Sequence, residues 1–341
     1  MTLRELTKQL CGMAGPSGFE APVRDWIAEY LRPFADEIKT DALGNVIAIK
    51  RCGRPEARML MLDAHMDEIG FVITGAENGF LKFASIGGVD QRMLPAREIR
   101  ILTEPPLFGV IDTMPPHLLS HEEMEKSIDP EKLYIDIGMS QEQAEKAVPP
   151  GTPAVYSGGC QELGTAQLCG KALDDRSCAA IIIKAFEELA EKAPLGVDLC
   201  CLVSAQEEVG CRGARVGAWN AAPDYAIVVD VTFAKTPDAK NVLTEAGKGV
   251  AIGIGPNMNG AMTRAMFALA EKNGIPHQTE VCPGGHSGIN AEVIQISRDG
   301  VATALLSLPL KYMHTPLEAV RYDDMESVLK LIVAYAESLE V

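Results

Sequence analysis

The chain has 341 residues, enough for about two domains, and 47% of them are hydrophobic, so material for a large core is present. Its 47 acidic residues oppose 31 basic ones, and the resulting formal charge of −16 argues against binding to phosphate backbones or anionic lipid. Aromatic residues make up only 5%, so the core must be built from Ala, Val, Ile, Leu and Met.

The first 31 residues form an amphipathic pattern without the continuous apolar stretch of an export signal, and a cytoplasmic location is expected. No segment supplies the roughly 18 consecutive apolar residues of a membrane span. Residues 58–64 read as a buried strand. From about Gly70 to Gly159 the chain turns rich in β-branched residues, Gly and Pro. Short strands are expected there at Phe71–Thr74, Phe80–Ala84, Glu98–Leu102, Leu107–Asp112 and Leu133–Ile137, which together imply a small all-β unit. Pro149-Pro150-Gly151-Thr152-Pro153 marks the approach to its exit. Beyond it come a helix from Asp175 to about Glu191, a strand at 198–205 and a helix from about Gly213. A strand at Ala226–Val229 and a helix at 262–273 follow.

Strands alternating with helices imply an α/β fold with a largely parallel sheet flanked by helices. The β-rich stretch interrupts this rhythm. The expected organisation is therefore an α/β domain from residues 1–69 and 160–341, with residues 70–159 inserted as a β-barrel-like domain. Nine cysteines without any C-x-x-C pair, most of them in apolar runs, read as core thiols in a reducing compartment.

Five places put Asp, Glu or His at an end of an expected strand or helix: His65-Met66-Asp67, Asp174-Asp175, Glu207-Glu208, Asp230 and His314. Each has an ordinary explanation. A lone His at a strand end is commonly a surface residue, an Asp pair before a helix a cap, a Glu pair after a strand a solvated turn. Their shared placement is what carries weight, because ligand sites of open α/β sheets lie beyond the carboxyl ends of the strands. Converging carboxylates and imidazoles repel without cations, and two His with several carboxylates suit zinc, cobalt or manganese.

At these residues the chain resembles the dinuclear metalloaminopeptidases that form hollow tetrahedral particles, a family including bacterial glutamyl aminopeptidases. Some of its members carry an endoglucanase label. The resemblance rests on Asp63-Ala64-His65-Met66-Asp67-Glu68-Ile69-Gly70, Gly170-Lys171-Ala172-Leu173-Asp174-Asp175-Arg176 and Gln206-Glu207-Glu208-Val209-Gly210. It extends to Val229-Asp230-Val231, Tyr312-Met313-His314-Thr315-Pro316, Pro115-Pro116-His117-Leu118-Leu119 and Tyr134-Ile135-Asp136-Ile137-Gly138. The chain departs from it at Gly284-Gly285-His286-Ser287-Gly288-Ile289-Asn290-Ala291, where Ile289-Asn290 replaces a Thr-Asp pair common in relatives.

The resemblance implies that Asp174 bridges two divalent metal ions, with His65 and Asp230 completing one site and Glu208 and His314 the other. It implies Glu207 as general base and Asp67 behind His65, fixing its tautomer. Asp175 would support Asp174 or the helix start, and His286 could contact substrate. The implied activity is hydrolysis of the N-terminal residue of short peptides by a water activated between two ions. Dimers would form through the insert and close into a dodecamer. Alternatives are a dinuclear deacylase or carboxypeptidase-like hydrolase, a glycosidase using Glu207 or Glu208, and an inactive shell-forming protein.

Overall fold

The computed structural model describes residues 1–124, 130–192, 195–239, 241–283 and 288–339. An 11-stranded sheet forms the larger layer. Its centre is parallel: Asp198–Ser204 pairs with Met59–His65, which pairs with Tyr225–Phe233, which pairs with Ala302–Lys311. On one side Val46–Lys50 and Glu37–Thr40 add antiparallel strands. On the other, Glu318–Arg321, Gln167–Gly170 and Gln161–Leu163 do the same. Val250–Ile254 pairs antiparallel with Ala302–Lys311 and parallel with His277–Val281, so this last strand stands off the main order.

Side chains of successive strand residues point to opposite faces, and each central strand divides accordingly. Leu60, Leu62 and Ala64 pack with Leu199, Cys201, Val203, Ile227 and Val229 against helices on one face. These helices are Leu3–Gly12, Ala21–Leu31, Leu173–Glu191, Gly260–Asn273 and Tyr322–Ser338. Met59, Met61, Cys200, Leu202, Ala226 and Val228 face the other way, under Arg212–Ala221 and Ala291–Ile294. The same alternation puts Asp63, His65, Asp230 and Thr232 on this second face, one step beyond its apolar residues.

The expected α/β architecture with a separate small β unit is present. Gly70–Glu77, Phe80–Ile86, Ile135–Asp136, Leu107–Ile111, Glu98–Ile101 and Pro153–Tyr156 close into a barrel. Phe71, Ile73, Leu81, Ile99, Ile101, Ile111 and Ile135 fill it. Phe71 packs edge-on against Tyr156, with ring centroids 5.2 Å apart. The closing strand, Pro153–Tyr156, lies where the sequence reads as an exit turn. Proline is tolerated at the first residue of a strand, where its missing donor removes no ladder bond.

All nine cysteines are free; Cys11, Cys178, Cys200, Cys201 and Cys211 are buried, and Cys52, Cys160, Cys169 and Cys282 half-buried. Among the described residues no helix is long and apolar enough to cross a membrane.

Candidate active site

The seven residues singled out from the sequence meet at the carboxyl end of the parallel strands. His65 ends the strand Met59–His65, and Glu207 and Glu208 follow the strand Asp198–Ser204. Asp230 lies within Tyr225–Phe233, and His314 follows Ala302–Lys311. Asp174 stands at the head of Leu173–Glu191, where both it and Asp175 leave helical geometry and regular helix begins at Arg176. Neither aspartate caps this helix; its N-cap position, Ala172, makes no side-chain bond.

Asp174 sits between two imidazoles. Its Oδ1 is 3.3 Å from Nε2 of His65, and its Oδ2 is 3.3 Å from Nε2 of His314. His314 Nε2 is also 3.5 Å from Oε2 of Glu208. Two donor clusters result, His65–Asp174–Asp230 and Asp174–Glu208–His314, in each of which one atom per residue lies within 4.8 Å of the others. Glu207 belongs to neither. Its Oε1 accepts the Cys211 thiol at 3.2 Å, and its Oε2 faces His65 Nε2 at 3.9 Å.

Fully buried Asp67 organises this end of the sheet. Its Oδ1 lies 3.3 Å from His65 Nδ1, within ion-pair reach although without hydrogen-bond alignment, and Nδ1 has no other partner. The Asp67 carboxylate accepts the backbone N–H groups of Glu207 at 3.0 Å and Glu208 at 3.2 Å, and the Ser17 hydroxyl at 2.5 Å. Two supports escape sequence reasoning. Glu318, also buried, accepts the N–H of Asp174 with Oε2 and that of His314 with Oε1, both at 2.9 Å. Glu68, Lys171 and Arg176 form a buried ionic group. Lys171 Nζ is 2.7 Å from Glu68 Oε2, and Arg176 Nη2 is 3.2 Å from Glu68 Oε1. Arg176 further donates to the carbonyls of Leu10, Met13, Gly15 and Met66. Nothing local marks these residues, because their partners are distant in the chain.

The barrel reaches the site through the loop after Phe80–Ile86. A Cβ on Gly87 would stand 3.2 Å from Cβ of Glu208, and one on Gly88 would stand 2.8 Å from Nδ1 of His314. Ala172, Gln206, Cys211 and His314 all have positive φ, so left-handed backbone gathers around the site, as it commonly does where geometry serves function.

Left to themselves these groups are poorly balanced in charge. Burial, followed by the Asp174 charge, pushes the Glu208 carboxyl up to about 8. Burial would lower the His314 imidazole, but Asp174 and Glu208 raise it to about 9. Burial pushes Asp230 well above the carboxylate range, the Glu207 and Asp174 charges adding to it against His65. Burial and then the Asp230 charge do the same to Asp175. Burial would also raise Asp174, but its bonds to His314 and His65 hold it well below the usual range. So many enclosed carboxyls ionise together only beside added positive charge. Oxygen and imidazole donors, with no thiolate in either cluster, fit divalent cations of the zinc, cobalt or manganese kind.

Comparison with known proteins identifies the family. The model of the M42 glutamyl aminopeptidase family matches residues 44–331. The chain belongs to the M42 family. The M42 chain is 37% identical to the lysyl aminopeptidase of Pyrococcus furiosus, over 98% of this chain and 97% of that protein. It superposes on the TET aminopeptidase of a marine sediment Thaumarchaeota archaeon with a TM-score of 0.93 and 29% identity, covering 100% of this chain and 98% of the other. The TET1 peptidase of Pyrococcus horikoshii, which can assemble into a tetrahedron or a large octahedral shell, superposes with a TM-score of 0.86 and 35% identity, covering 99% and 100%. The M42 chain is accordingly a metalloaminopeptidase, acting on the N-terminal residue of peptides.

Beside the M42 donor clusters lies a cleft of about 500 Å³. Ile289 of the Ile289-Asn290 departure lines it. Asn290 is buried, and its Nδ2 donates to Asp63 Oδ2 and to Ser204 Oγ, each at 2.9 Å. His286 lies outside the described residues.

Proposed function

We propose that the chain binds two divalent cations, zinc or cobalt with manganese as an alternative, and that Asp174 holds both. His65 and Asp230 complete one site; Glu208 and His314 complete the other. The observation that carries this reading is the Asp174 carboxylate, which offers one oxygen toward each histidine at 3.3 Å. When bound, such ions acidify a water and polarise the scissile carbonyl.

The chain's own residues do the rest. Glu207 is the general base: its Oε2 takes the proton from the attacking water and returns it to the leaving amine. The Cys211 thiol occupies Oε1, which leaves Oε2 turned toward the cleft. Asp67 is the positioning residue behind His65 and, through the N–H groups of Glu207 and Glu208, behind both glutamates. Acidic groups at the head of the cleft suit a free α-amine and disfavour a blocked one, which supports an aminopeptidase over a deacylase.

The barrel, taken as an inserted domain of residues 70–159, is the proposed dimer contact, and the assembly a dodecamer of six dimers in the cytoplasm. Two observations support an intersubunit role: exposed Phe108 on a barrel strand and exposed Leu118 in the same segment. Light scattering tests it, and a monomeric mass at working concentration contradicts it.

The test of function pairs a free aminoacyl anilide with its N-acetylated form, before and after chelation. Cleavage of the free form alone, lost on chelation and restored by Zn²⁺, Co²⁺ or Mn²⁺, is expected. Preference for the acetylated form contradicts the reading. Activity surviving in protein shown by elemental analysis to be metal-free contradicts it too, whereas loss on chelation also speaks against a glycosidase, whose carboxylate pair usually needs no metal.

A further inference from the structure

Glu20 belongs to neither donor cluster and does not line the cleft, yet it is bonded to the turn that carries Glu207. It occupies the N-cap position of the helix Ala21–Leu31, but its side chain caps none of that helix's N–H groups. The buried carboxylate reaches instead to a residue 186 positions along the chain. Its Oε1 accepts the backbone N–H of Gln206 at 3.1 Å and that of Gly18 at 2.8 Å.

The bond to Gln206 completes a set. Glu207 and Glu208 donate their N–H groups to Asp67, so three successive N–H groups of one turn end on two buried carboxylates. Carboxylates are strong acceptors for backbone N–H groups. The carbonyls of the turn are taken up as well: that of Gln206 accepts from Arg212, and that of Glu207 from Gly210 and Cys211. Gln206 has a φ of 56°, in the left-handed region, which a residue with a side chain keeps only where its surroundings hold it. Glu20 supplies the bond on the N–H of this residue, immediately before Glu207.

Glu20 can hold the turn because its own loop is fixed. The Gly15 N–H donates to Glu68 Oε1 at 3.1 Å, and the Gly15 carbonyl accepts the Glu68 N–H at 3.2 Å. The Ser17 N–H donates to the Glu68 carbonyl at 3.3 Å, and the Ser17 hydroxyl to Asp67 Oδ2. A Cβ on Gly15 would stand 2.8 Å from Cγ2 of Val23, so the loop packs directly on the helix that follows it.

We infer that Glu20 is a positioning residue that fixes the Gln206 backbone and, through it, the direction in which the Glu207 carboxylate faces. The inference rests on the reading of Glu207 as general base. Without Glu20 the Gln206 N–H loses its acceptor, the left-handed turn relaxes, and Oε2 of Glu207 loses its aim. Glu208, still held by Asp67, keeps its place.

The test uses metal-loaded full-length protein. It measures kcat and KM on a free aminoacyl 4-nitroanilide, metal content by elemental analysis, and amide hydrogen exchange of residues 205–213 by mass spectrometry. In Glu20→Ala, kcat is expected to fall roughly 10- to 100-fold, the effect of misplacing a reacting group by about 1 Å. KM and metal content should stay as in the wild type, and exchange in the segment should quicken. Glu20→Asp keeps the charge but withdraws the carboxylate by one methylene, and its kcat should fall in the same direction. Glu20→Gln keeps an acceptor oxygen at the same reach and should recover most of the rate lost in Glu20→Ala. A part in fold stability alone would lower the denaturation midpoint and leave the kcat of the folded protein unchanged. That result in Glu20→Ala overturns the inference, and where Glu20→Ala does not fold, wild-type kcat in Glu20→Asp overturns it. Metal lost from Glu20→Ala in step with rate also overturns it, because the effect then lies on the ligands. Wild-type turnover in Glu207→Gln sinks the general-base reading and the inference with it. An inactive Glu207→Gln beside a Glu20→Ala of wild-type rate sinks the inference alone.

Discussion

The Asp67 Oδ1 accepts the backbone N–H of Glu207 at 3.0 Å and lies 3.3 Å from His65 Nδ1, so one buried carboxylate holds the turn that presents Glu207 and stands behind the His65 ring. Asp67→Asn keeps the shape but replaces one acceptor oxygen with a donor facing N–H groups and the His65 ring. Metal affinity or turnover is expected to fall roughly 10- to 100-fold, the usual effect of losing a group that orients a metal-binding histidine. Metal titration and steady-state rates check it.

The contact between barrel and site gives a second prediction. Gly88→Ala brings a Cβ to 2.8 Å from Nδ1 of His314, closer than the ring tolerates without moving. Displacement of a reacting or ligating group by about 1 Å costs on the order of 100-fold in rate. Reduced metal occupancy with the same far-ultraviolet circular dichroism is expected. Unchanged activity contradicts the role given to this loop.

The third prediction concerns stability and its pH dependence. Burial would raise the Glu68 carboxyl, but the Lys171 and Arg176 charges outweigh it and hold the group below its ordinary value. A carboxyl depressed in the folded state stabilises the fold above its unfolded pKa, and that contribution is lost as pH falls through the folded one. Glu68→Gln leaves Lys171 and Arg176 enclosed without their partner, and a loss of about 3–5 kcal/mol is expected at pH 7. Denaturant midpoints for both proteins should converge as the pH is lowered below the ordinary carboxylate range. A gap that stays constant with pH contradicts the assignment.

Much of this was legible in the sequence because it is local. The central strands are short apolar runs, and strand position locates His65, Glu207, Glu208 and Asp230, whereas the strand Ala302–Lys311 that leads to His314 was not read from the sequence. The outer strands were not legible. Val46–Lys50 and Val250–Ile254 are five residues each, the first antiparallel to both its neighbours and the second antiparallel to Ala302–Lys311, outside the strand–helix alternation that reveals the centre. Glu318 reads as an ordinary strand glutamate until the fold carries it beneath Asp174 and His314.

The most direct test of the central claim compares Glu207→Gln with Glu208→Gln by elemental analysis, with activity measured across added metal. Glu207→Gln should retain about two ions per chain while turnover falls by roughly 10²–10⁴-fold, the usual worth of a positioned general base, and excess metal should restore nothing. Glu208→Gln exchanges an anionic ligand for a neutral one, so occupancy should drop below two and excess metal should recover part of the rate. Rescue in the Glu207 variant instead would reverse the two roles, and normal rates with normal metal content in both variants would contradict the account.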